Sequence, residues 1–202
     1  MNSSIFTLMN TAEKRTHLTE EEYFAYEASI EGVAEYFNGE IFDMAGGSES
    51  HSSITSNLNR HLGNKLEGKD CRVYGESLRL QIEAANSFVR PDLWVICGKT
   101  DLMPKRKDTA RNPVLIIEVQ SKSTTNWDRT GKFNLYRKIP TLMEYVLVEQ
   151  SVPQVDLFAR NANGFWEFRS VTEMEDEVFF QSLGVAVPMA DIYRNVDFEA
   201  EE

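Results

Sequence analysis

The stretch Val114-Leu115-Ile116-Ile117-Glu118-Val119-Gln120 decides the fold, because it combines an unbroken apolar run with a carboxylate near its end. An apolar run without alternation is typical of a strand that is buried on both faces. The sequence pattern predicts a helix at residues 127–138, which Pro140 ends, and another core strand at residues 143–148. Strand, helix and strand in this order predict a right-handed parallel crossover.

A second carboxylate opens the apolar run of residues 91–97, Pro-Asp-Leu-Trp-Val-Ile-Cys. An ionised carboxylate at the edge of a core is costly unless a metal, a cation or several donors compensate it. Asp92 and Glu118, at the ends of neighbouring strands, therefore predict a site for Mg2+ or Mn2+, which prefer oxygen ligands. Glu118 and Gln120 share one face of their strand, and the carbonyl of Val119 is a further candidate ligand.

The order of these motifs resembles the PD-(D/E)XK nuclease superfamily and, within it, the Uma-type family of restriction endonucleases. The segments that carry the resemblance are residues 34–41, 50–54, 90–92, 112–113, 118–124 and 128–136. The resemblance implies an α/β (α+β) fold with a restriction-endonuclease-like core, in which helices and additional antiparallel strands flank a mixed central sheet. It also implies metal-dependent hydrolysis of DNA and a homodimer.

The lysine that much of the superfamily places two residues after the glutamate is replaced here by Gln120. Glutamine carries no positive charge, so another residue must supply the cation. The resemblance implies that this lysine has moved onto the following helix, where it is Lys132. Lys122, four residues after Glu118, is the second candidate. An ordinary ion pair with Asp128 is the alternative explanation of Lys132.

A further acidic residue is implied by the resemblance just before a predicted hairpin. The Asn-Gly pair in residues 36–42 is typical of a two-residue hairpin turn. In that register Glu35 faces Phe42. We expect Glu35 to join the acidic cluster, with Glu40 as the alternative.

The remaining patterns place elements around this centre. Thr19 and Glu22 form a capping box, which predicts a helix as far as Ser29. Residues 48–67 predict an amphipathic helix whose apolar stripe carries His51, and a hydrogen-bonded residue at the core edge is the leading interpretation of that histidine. Further strands are predicted at residues 71–82, 88–97, 152–159, 164–171 and 178–182, the last three antiparallel.

A chain of 202 residues suits one domain, with residues 1–17 and 197–202 as flexible ends. The start lacks the pattern of a signal peptide, and no apolar run reaches membrane-spanning length, so we expect a cytoplasmic protein. Cys71 and Cys97 lack metal-ligand spacing and are expected to be buried, reduced thiols.

The net charge of −11 argues against a nonspecific nucleic-acid binder. Its distribution is uneven: residues 86–140 hold 11 Lys and Arg against 5 Asp and Glu, whereas residues 1–85 hold 7 against 14 and residues 141–202 hold 3 against 13. The basic segment carries the expected site, which favours an anionic substrate. Solvated cations in the loop 105–107 are the alternative explanation.

Together these expectations describe a Mg2+- or Mn2+-dependent endonuclease that acts on DNA. Asp92, Glu118 and Val119 would hold the metal, Lys132 would stabilise developing charge, and Gln120 and Glu35 would complete the site. The aromatic C-terminal strands would either complete the core or form the dimer interface. The alternative is a nuclease fold without efficient chemistry that serves as a binding or scaffold protein, with Gln120 as its visible sign.

Overall fold

The computed structural model describes residues 17–44, 46–121 and 124–198. The helices are α1 (Glu20–Glu27), α2 (Glu49–Lys65), α3 (Thr125–Trp127), α4 (Phe133–Tyr136) and α5 (Met189–Ile192). The strands are β1 (Ala34–Phe37), β2 (Glu40–Asp43), β3 (Cys71–Gly75), β4 (Arg79–Ile82), β5 (Ser87–Val89), β6 (Leu93–Cys97), β7 (Thr109–Ala110), β8 (Leu115–Gln120), β9 (Glu144–Glu149), β10 (Val155–Arg160), β11 (Trp166–Val171), β12 (Glu177–Phe180) and β13 (Val185–Pro188).

A six-stranded sheet in the order β11-β10-β9-β8-β6-β3 forms the centre of the fold. β8 and β9 pair in parallel, with Glu118 opposite Leu147, and every other pair of this sheet is antiparallel. Residues 125–136 connect β8 to β9 and are called the crossover helix below. The mixed sheet and the parallel crossover predicted from the sequence are therefore confirmed.

A five-stranded sheet, in the order β2-β1-β5-β4-β7, carries the hairpin. Its register places Glu35 opposite Phe42, as predicted, and Phe37 opposite Glu40. α1 begins with the predicted capping box, because Thr19 and Glu22 exchange hydrogen bonds. Tyr23 of α1 stacks on aromatic rings of this sheet and is fully buried.

The two faces of the six-stranded sheet pack against different layers. One face is covered by the apolar stripe of α2, which includes Ile54, Leu58 and Leu62, together with the β12–β13 hairpin and α5. The other face is covered by the crossover helix, whose Tyr136 is fully buried. Because β8 is central and buried throughout, its polar residues Glu118 and Gln120 are held inside the protein.

Four predicted elements differ from the structure. Residues 71–82 and 88–97 each form two strands, and the second break falls at Arg90-Pro91-Asp92, where proline has no N–H to offer a ladder. The crossover helix contains a π-helical turn at Asp128–Lys132. β12 lies outside the main sheet and pairs with β13, a strand that the sequence patterns did not predict.

The prediction of two reduced, buried cysteines is wrong. Cys71 and Cys97 are directly opposite each other on the antiparallel strands β3 and β6, and their sulfurs form a disulfide. Both residues are only partly buried. Cross-strand pairing brings the two Cβ atoms together, and this proximity is a tertiary property that the spacing of 26 residues does not reveal.

The predicted flexible ends fall mostly outside the described residues, which begin at His17 and end at Phe198. The ring of Phe198 lies 5.4 Å from the ring of Tyr193, measured between centroids, and packs against the α2 side of the core. No helix in the described part of the chain is long and apolar enough to cross a membrane.

Candidate active site

The candidate site lies where β8 continues past the end of its neighbour β6. The pairing of the two strands begins with Leu93 opposite Ile117, so Asp92 stands beside the level of Glu118. The Oδ2 atom of Asp92 accepts a hydrogen bond of 2.7 Å from the main-chain N–H of Val119. The carboxylate of Asp92 therefore accepts the main-chain hydrogen bond that a carbonyl of β6 would accept if the ladder continued.

The main chain of Val119 faces Asp92. On the other side of β8, the carbonyl of Gln120 accepts a hydrogen bond from the N–H of Gln150. Because consecutive residues of a strand direct their peptide groups to alternate sides, the N–H and the carbonyl of Val119 both point towards Asp92. The structure thus brings together Asp92, Glu118 and Val119, the three metal ligands predicted from the sequence.

Lys132 of the crossover helix supplies the cation nearest to these carboxylates. Its Nζ atom lies 3.1 Å from Oε1 of Glu118 and 3.5 Å from Oδ1 of Asp128. The side chains of Glu118, Asp128 and Lys132 are all buried. Lys132 therefore contacts the predicted partner Glu118 and also keeps the i,i+4 pair with Asp128, so both interpretations of its spacing describe real contacts.

The charges in this cluster strongly perturb one another. Burial raises the pKa of Glu118 well above its usual range, although Lys132 opposes the rise and Asp92 adds to it. Burial alone would lower the pKa of Lys132, but the surrounding carboxylates outweigh that effect and raise it well above its usual range. At neutral pH Lys132 is consequently a permanent cation and not a proton acceptor.

The π-helical turn places Lys132 and Asp128 at its two ends. Gly131 lies within this turn against the ring of Trp127, and a Cβ atom at Gly131 would come within 1.9 Å of that ring. The ring of Trp127 in turn contacts Phe37 of β1, with centroids 5.6 Å apart. The absence of a side chain at Gly131 therefore lets the turn pack closely against the five-stranded sheet.

Glu35 lies close to the same cluster and is buried. Its Oε1 atom accepts a hydrogen bond of 2.9 Å from the main-chain N–H of Arg90, two residues before Asp92. Burial raises the pKa of Glu35, and the charge of Lys132 opposes that rise. Glu40, its sequence alternative, lies beside the hairpin turn and is partly exposed. Of the two, the structure brings Glu35 to the site.

His51 contacts the site from the α2 side of the sheet. Its Nε2 atom lies 3.1 Å from Oδ1 of Asp92. Burial alone would lower the pKa of His51, but the hydrogen bond and the charge of Asp92 raise it overall. The same contact, with the charge of Lys132, lowers the pKa of Asp92 against the opposing effect of burial. His51 is thus bound to a site residue, which its position on an apolar stripe did not reveal.

Gln120 is fully buried beside the crossover helix. Its Nε2 atom donates a hydrogen bond of 3.2 Å to the carbonyl of Thr125. Its Oε1 atom is buried and has no hydrogen-bond partner within the described residues. The group of Gln120 without a partner is therefore an acceptor, suited to a water molecule or a cation and unsuited to a phosphate oxygen. Lys122 lies outside the described residues.

Tyr136 is a site contact that the sequence patterns did not reveal. Its hydroxyl donates a hydrogen bond of 2.6 Å to Oε1 of Glu118, the same oxygen that lies near Lys132. The neighbouring Tyr145 donates its hydroxyl to the main-chain carbonyl of Asp128 over 3.1 Å. The sequence feature that indicates this contact is the spacing of Tyr136, which follows Lys132 by four residues and so lies on the same helical face.

A buried ion network holds the segment that leads to Asp92. Oε1 of Glu27 accepts hydrogen bonds from Nε and Nη2 of Arg90, at 3.1 and 2.6 Å. Oε2 of Glu27 pairs with Arg79. Nη1 of Arg90 also donates to the carbonyl of Glu76 over 2.6 Å. Glu27 of α1 thereby fixes Arg90, which in turn positions both Glu35 and Asp92.

Several cations of the basic segment are engaged in ion pairs within the chain. Arg106 pairs with Asp108, Arg111 pairs with Glu83 and Asp101, and Arg129 pairs with Asp156. Lys105 and Lys107 are exposed. Of these acids, Glu83 and Asp156 lie outside residues 86–140, so they neutralise part of the positive excess of that segment.

The donors at the end of β8 suit a hard divalent cation. Two carboxylates and one main-chain carbonyl offer only oxygen atoms, which Mg2+ and Mn2+ prefer. The buried Oε1 of Gln120, on the same face of β8 as Glu118, is a further oxygen without a hydrogen-bond partner among the described residues. Within residues 17–44, 46–121 and 124–198, no group of three or more His, Cys, Asp or Glu is placed so that it could hold a metal ion by itself. A cation here would keep water or substrate oxygens among its ligands.

The fold is that of a restriction-endonuclease-like protein, with a mixed sheet and a crossover helix that carries the lysine. The chain belongs to the Uma2 family, described as "Putative restriction endonuclease", which it matches over residues 20–190. The solved structure of a "putative nuclease belonging to DUF820" from Anabaena variabilis shares the fold, with a TM-score of 0.64 and 17% identity over 81% of this chain and 91% of that chain.

Two relatives from Synechocystis extend the likeness over most of the chain. The uncharacterized protein slr1290 is 36% identical and aligns with 90% of this chain and 94% of its own length. The uncharacterized protein sll1609 is 30% identical and aligns with 83% of this chain and 95% of its own length. The match over residues 20–190 confirms the family predicted from the sequence, and the two uncharacterized relatives add no activity.

Proposed function

We propose that this protein is an endonuclease that hydrolyses phosphodiester bonds in DNA with Mg2+ or Mn2+. The observation that carries the proposal is the convergence of Asp92, Glu118 and Lys132 at the end of one central strand. Burying three such charges costs several kcal/mol unless each is compensated, and structural packing alone could be achieved with apolar residues. Membership of a family described as restriction endonucleases supports the same class of reaction.

Asp92, Glu118 and the carbonyl of Val119 would hold the cation. When bound, the cation polarises the scissile phosphate and lowers the pKa of the attacking water. Lys132, a permanent cation, stabilises the negative charge that develops on the phosphate oxygens. The Oε1 atom of Gln120 accepts a hydrogen bond from the attacking water and so orients it.

Glu35 and His51 act on this centre from its two sides. Glu35 adds negative charge near Lys132 and helps to keep its ammonium protonated. His51 holds Oδ1 of Asp92 while Val119 holds Oδ2, which fixes the orientation of that carboxylate. Residues that orient a ligand in this way commonly change metal affinity by 10- to 100-fold when they are replaced.

The alternative, a binding or scaffold protein without efficient chemistry, is favoured by one observation. Lys132 is buried between Glu118 and Asp128, so it already satisfies two acids in the absence of substrate.

An assay with several nucleic acids separates the two functions. Purified protein is incubated with Mn2+ and supercoiled, linear, single-stranded or branched DNA, or RNA. Glu118→Ala serves as the control for contaminating nucleases, and equal cleavage by wild type and Glu118→Ala would reject the nuclease.

Binding of Mn2+ is expected to raise the melting temperature of the wild-type protein. The carboxylates of the site repel one another, and a ligand that binds only the folded state stabilises it by mass action. At about 100 times the dissociation constant the gain is about 2.7 kcal/mol. Thermal denaturation with and without Mn2+ measures the shift. The same shift in the Asp92→Ala, Glu118→Ala double variant would place the binding elsewhere.

Tyr136→Phe is expected to weaken Mn2+ binding about 10- to 100-fold, because the lost hydroxyl orients Glu118. Tyr145→Phe is the matched control, since its hydroxyl is equally buried but donates to a main-chain carbonyl. Each variant should lose about 1 kcal/mol of stability. Titration calorimetry with Mn2+ compares them, and equal affinities in the two variants would show that Tyr136 has only a structural role.

A further inference from the structure

Aromatic side chains form a row across the face of the six-stranded sheet that the crossover helix covers. Phe168 of β11 stands opposite Phe158 of β10, which stands opposite Tyr145 of β9, so the three rings lie on one face. The ring centroids are 5.2 Å apart between Phe168 and Phe158, and 6.2 Å apart between Phe158 and Tyr145. Tyr145 is fully buried, whereas Phe168 is 58% exposed. The row therefore runs from the core to the surface.

The crossover helix forms a wall beside this row. The ring of Phe133 contacts the rings of Phe158 and Trp166, with centroids 4.8 and 5.3 Å apart. Arg129 and Arg137 are four residues before and after Phe133, so they lie on the same helical face. The aromatic groove is the surface lined by six side chains, those of Arg129, Phe133, Arg137, Phe158, Trp166 and Phe168.

Cations stand at both ends of the aromatic groove. At one end Arg129 pairs with Asp156, and the side chain of Arg129 is still 32% exposed. At the other end the guanidinium carbon of Arg160 lies 4.9 Å from the ring centroid of Trp166. Arg160 also donates a hydrogen bond of 2.9 Å to the carbonyl of Arg137. The side chain of Arg137 is exposed and has no hydrogen bond or ion pair within the described part of the chain.

We propose that the aromatic groove binds single-stranded DNA. Its bases stack on the exposed rings and its phosphates meet the arginines at the two ends. Base–aromatic stacking tolerates any sequence, because every base has a π face, and a positive groove that follows the backbone commonly accompanies it. Exposed rings beside a free arginine, on a chain with a net charge of −11, therefore favour a strand whose bases are accessible.

Duplex DNA fits the aromatic groove less well. A duplex hides its base faces in its own stack, and its affinity depends on many phosphate contacts. This chain offers few cations for such contacts, because Arg106 and Arg111 are paired with acids. Lys132 directly precedes Phe133 on the crossover helix, so the groove begins within one helical turn of the active site. Its role in selecting single-stranded or branched DNA for cleavage rests on the proposed nuclease function.

Fluorescence anisotropy of a labelled oligothymidine of about 15 nucleotides tests the proposal. The measurement is made in EDTA, so that no metal-dependent cleavage occurs. The wild type should bind this strand about tenfold more tightly than a duplex of the same length. Phe168→Ala should weaken binding about tenfold at every salt concentration, because a stacking contact is lost. Arg137→Gln should instead lower the slope of log K against log[salt] by about 0.7, because a phosphate contact is lost.

The matched controls carry similar changes outside the aromatic groove. Phe179→Ala removes an exposed phenylalanine of β12, and Lys65→Gln removes an exposed cation of α2. Both should bind the oligothymidine like the wild type. Duplex bound as tightly as the single strand, or Phe168→Ala binding as tightly as Phe179→Ala, would overturn the proposal.

Cleavage with Mn2+ separates this outcome from a failure of the proposed nuclease. A protein that binds the single strand through Phe168 and cleaves no DNA would retain the aromatic groove and reject the nuclease. Equal cleavage of single-stranded and duplex DNA, by both the wild type and Phe168→Ala, would retain the nuclease and reject the groove.

Discussion

Replacement of Lys132 by methionine is expected to slow DNA cleavage about a thousandfold, the largest catalytic effect of any single change on the crossover helix. Methionine keeps the length of the side chain and removes its charge. The developing charge on the phosphate would lose its nearest protein cation, and removal of one such group typically slows a reaction by about 10²- to 10³-fold or more. Cleavage of supercoiled plasmid DNA with Mn2+ measures the rate.

The matched control is Lys138→Met, an exposed lysine just beyond the same helix, which should cleave at the wild-type rate. Lys122→Met tests the second candidate identified from the sequence. Normal cleavage by Lys132→Met together with loss in Lys122→Met would transfer the catalytic role to Lys122. Normal cleavage by both variants would show that neither Lys132 nor Lys122 takes part in catalysis.

The stability of Lys132→Met separates a charge effect from a folding defect. Without the ammonium, the pKa of Glu118 rises further above its ordinary value, since burial already raises it and Lys132 opposes the rise. A carboxyl whose pKa is higher in the folded state stabilises the protein below its unfolded pKa, and that contribution is lost as the pH rises through the folded pKa. The deficit in melting temperature relative to wild type should therefore grow as the pH rises through the raised pKa of Glu118.

The parts of the fold that the sequence predicted correctly depend on local signals. The capping box of Thr19 and Glu22 fixes the start of α1, and the Asn-Gly turn fixes the hairpin register that places Glu35 opposite Phe42. The apolar runs around Asp92 and Glu118 fix two neighbouring central strands. Each of these signals lies within a few neighbouring residues. The interactions that form the element are therefore visible in the sequence alone.

The parts that the sequence did not predict depend on which elements meet in space. His51 reaches Asp92 because α2 packs on the sheet beside the end of β6. The apolar stripe of α2 predicts that the helix is amphipathic but does not predict this contact. The ring of Tyr136 is buried in the core, and the role of its hydroxyl depends on the position of Glu118. The disulfide likewise depends on the register of β3 against β6.

Glu27 shows the same limit most clearly, because its partners Arg79 and Arg90 lie 52 and 63 residues away in the chain. Nothing in the pattern of α1 distinguishes Glu27 from its other acids. In the structure it pairs with two arginines whose side chains are only 3% and 10% exposed, and Arg79 also lies 3.4 Å from Asp108. Both guanidinium groups keep their charge at any ordinary pH, so neither can escape the loss of this partner by releasing a proton.

Glu27→Ala is therefore expected to reduce the free energy of unfolding by about 3–5 kcal/mol, the typical cost of leaving a buried charge uncompensated. Glu27→Gln should cost less, because its amide oxygen can still accept a hydrogen bond from one arginine. Glu31→Ala, an exposed acid between α1 and β1, is the matched control and should change stability by less than about 0.5 kcal/mol. Urea unfolding measures all three variants through their midpoints at constant slope.

The same variant tests whether the network serves the site as well as the fold. Arg90 donates its main-chain N–H to Glu35 and stands two residues before Asp92, so release of its guanidinium loosens both acids. Glu27→Gln, assayed well below its unfolding midpoint, should then bind Mn2+ more weakly than the wild type although it is folded. Unchanged Mn2+ affinity in that variant would confine Glu27 to a structural role. An unfolding midpoint in Glu27→Ala equal to that of Glu31→Ala would show that water compensates the two arginines.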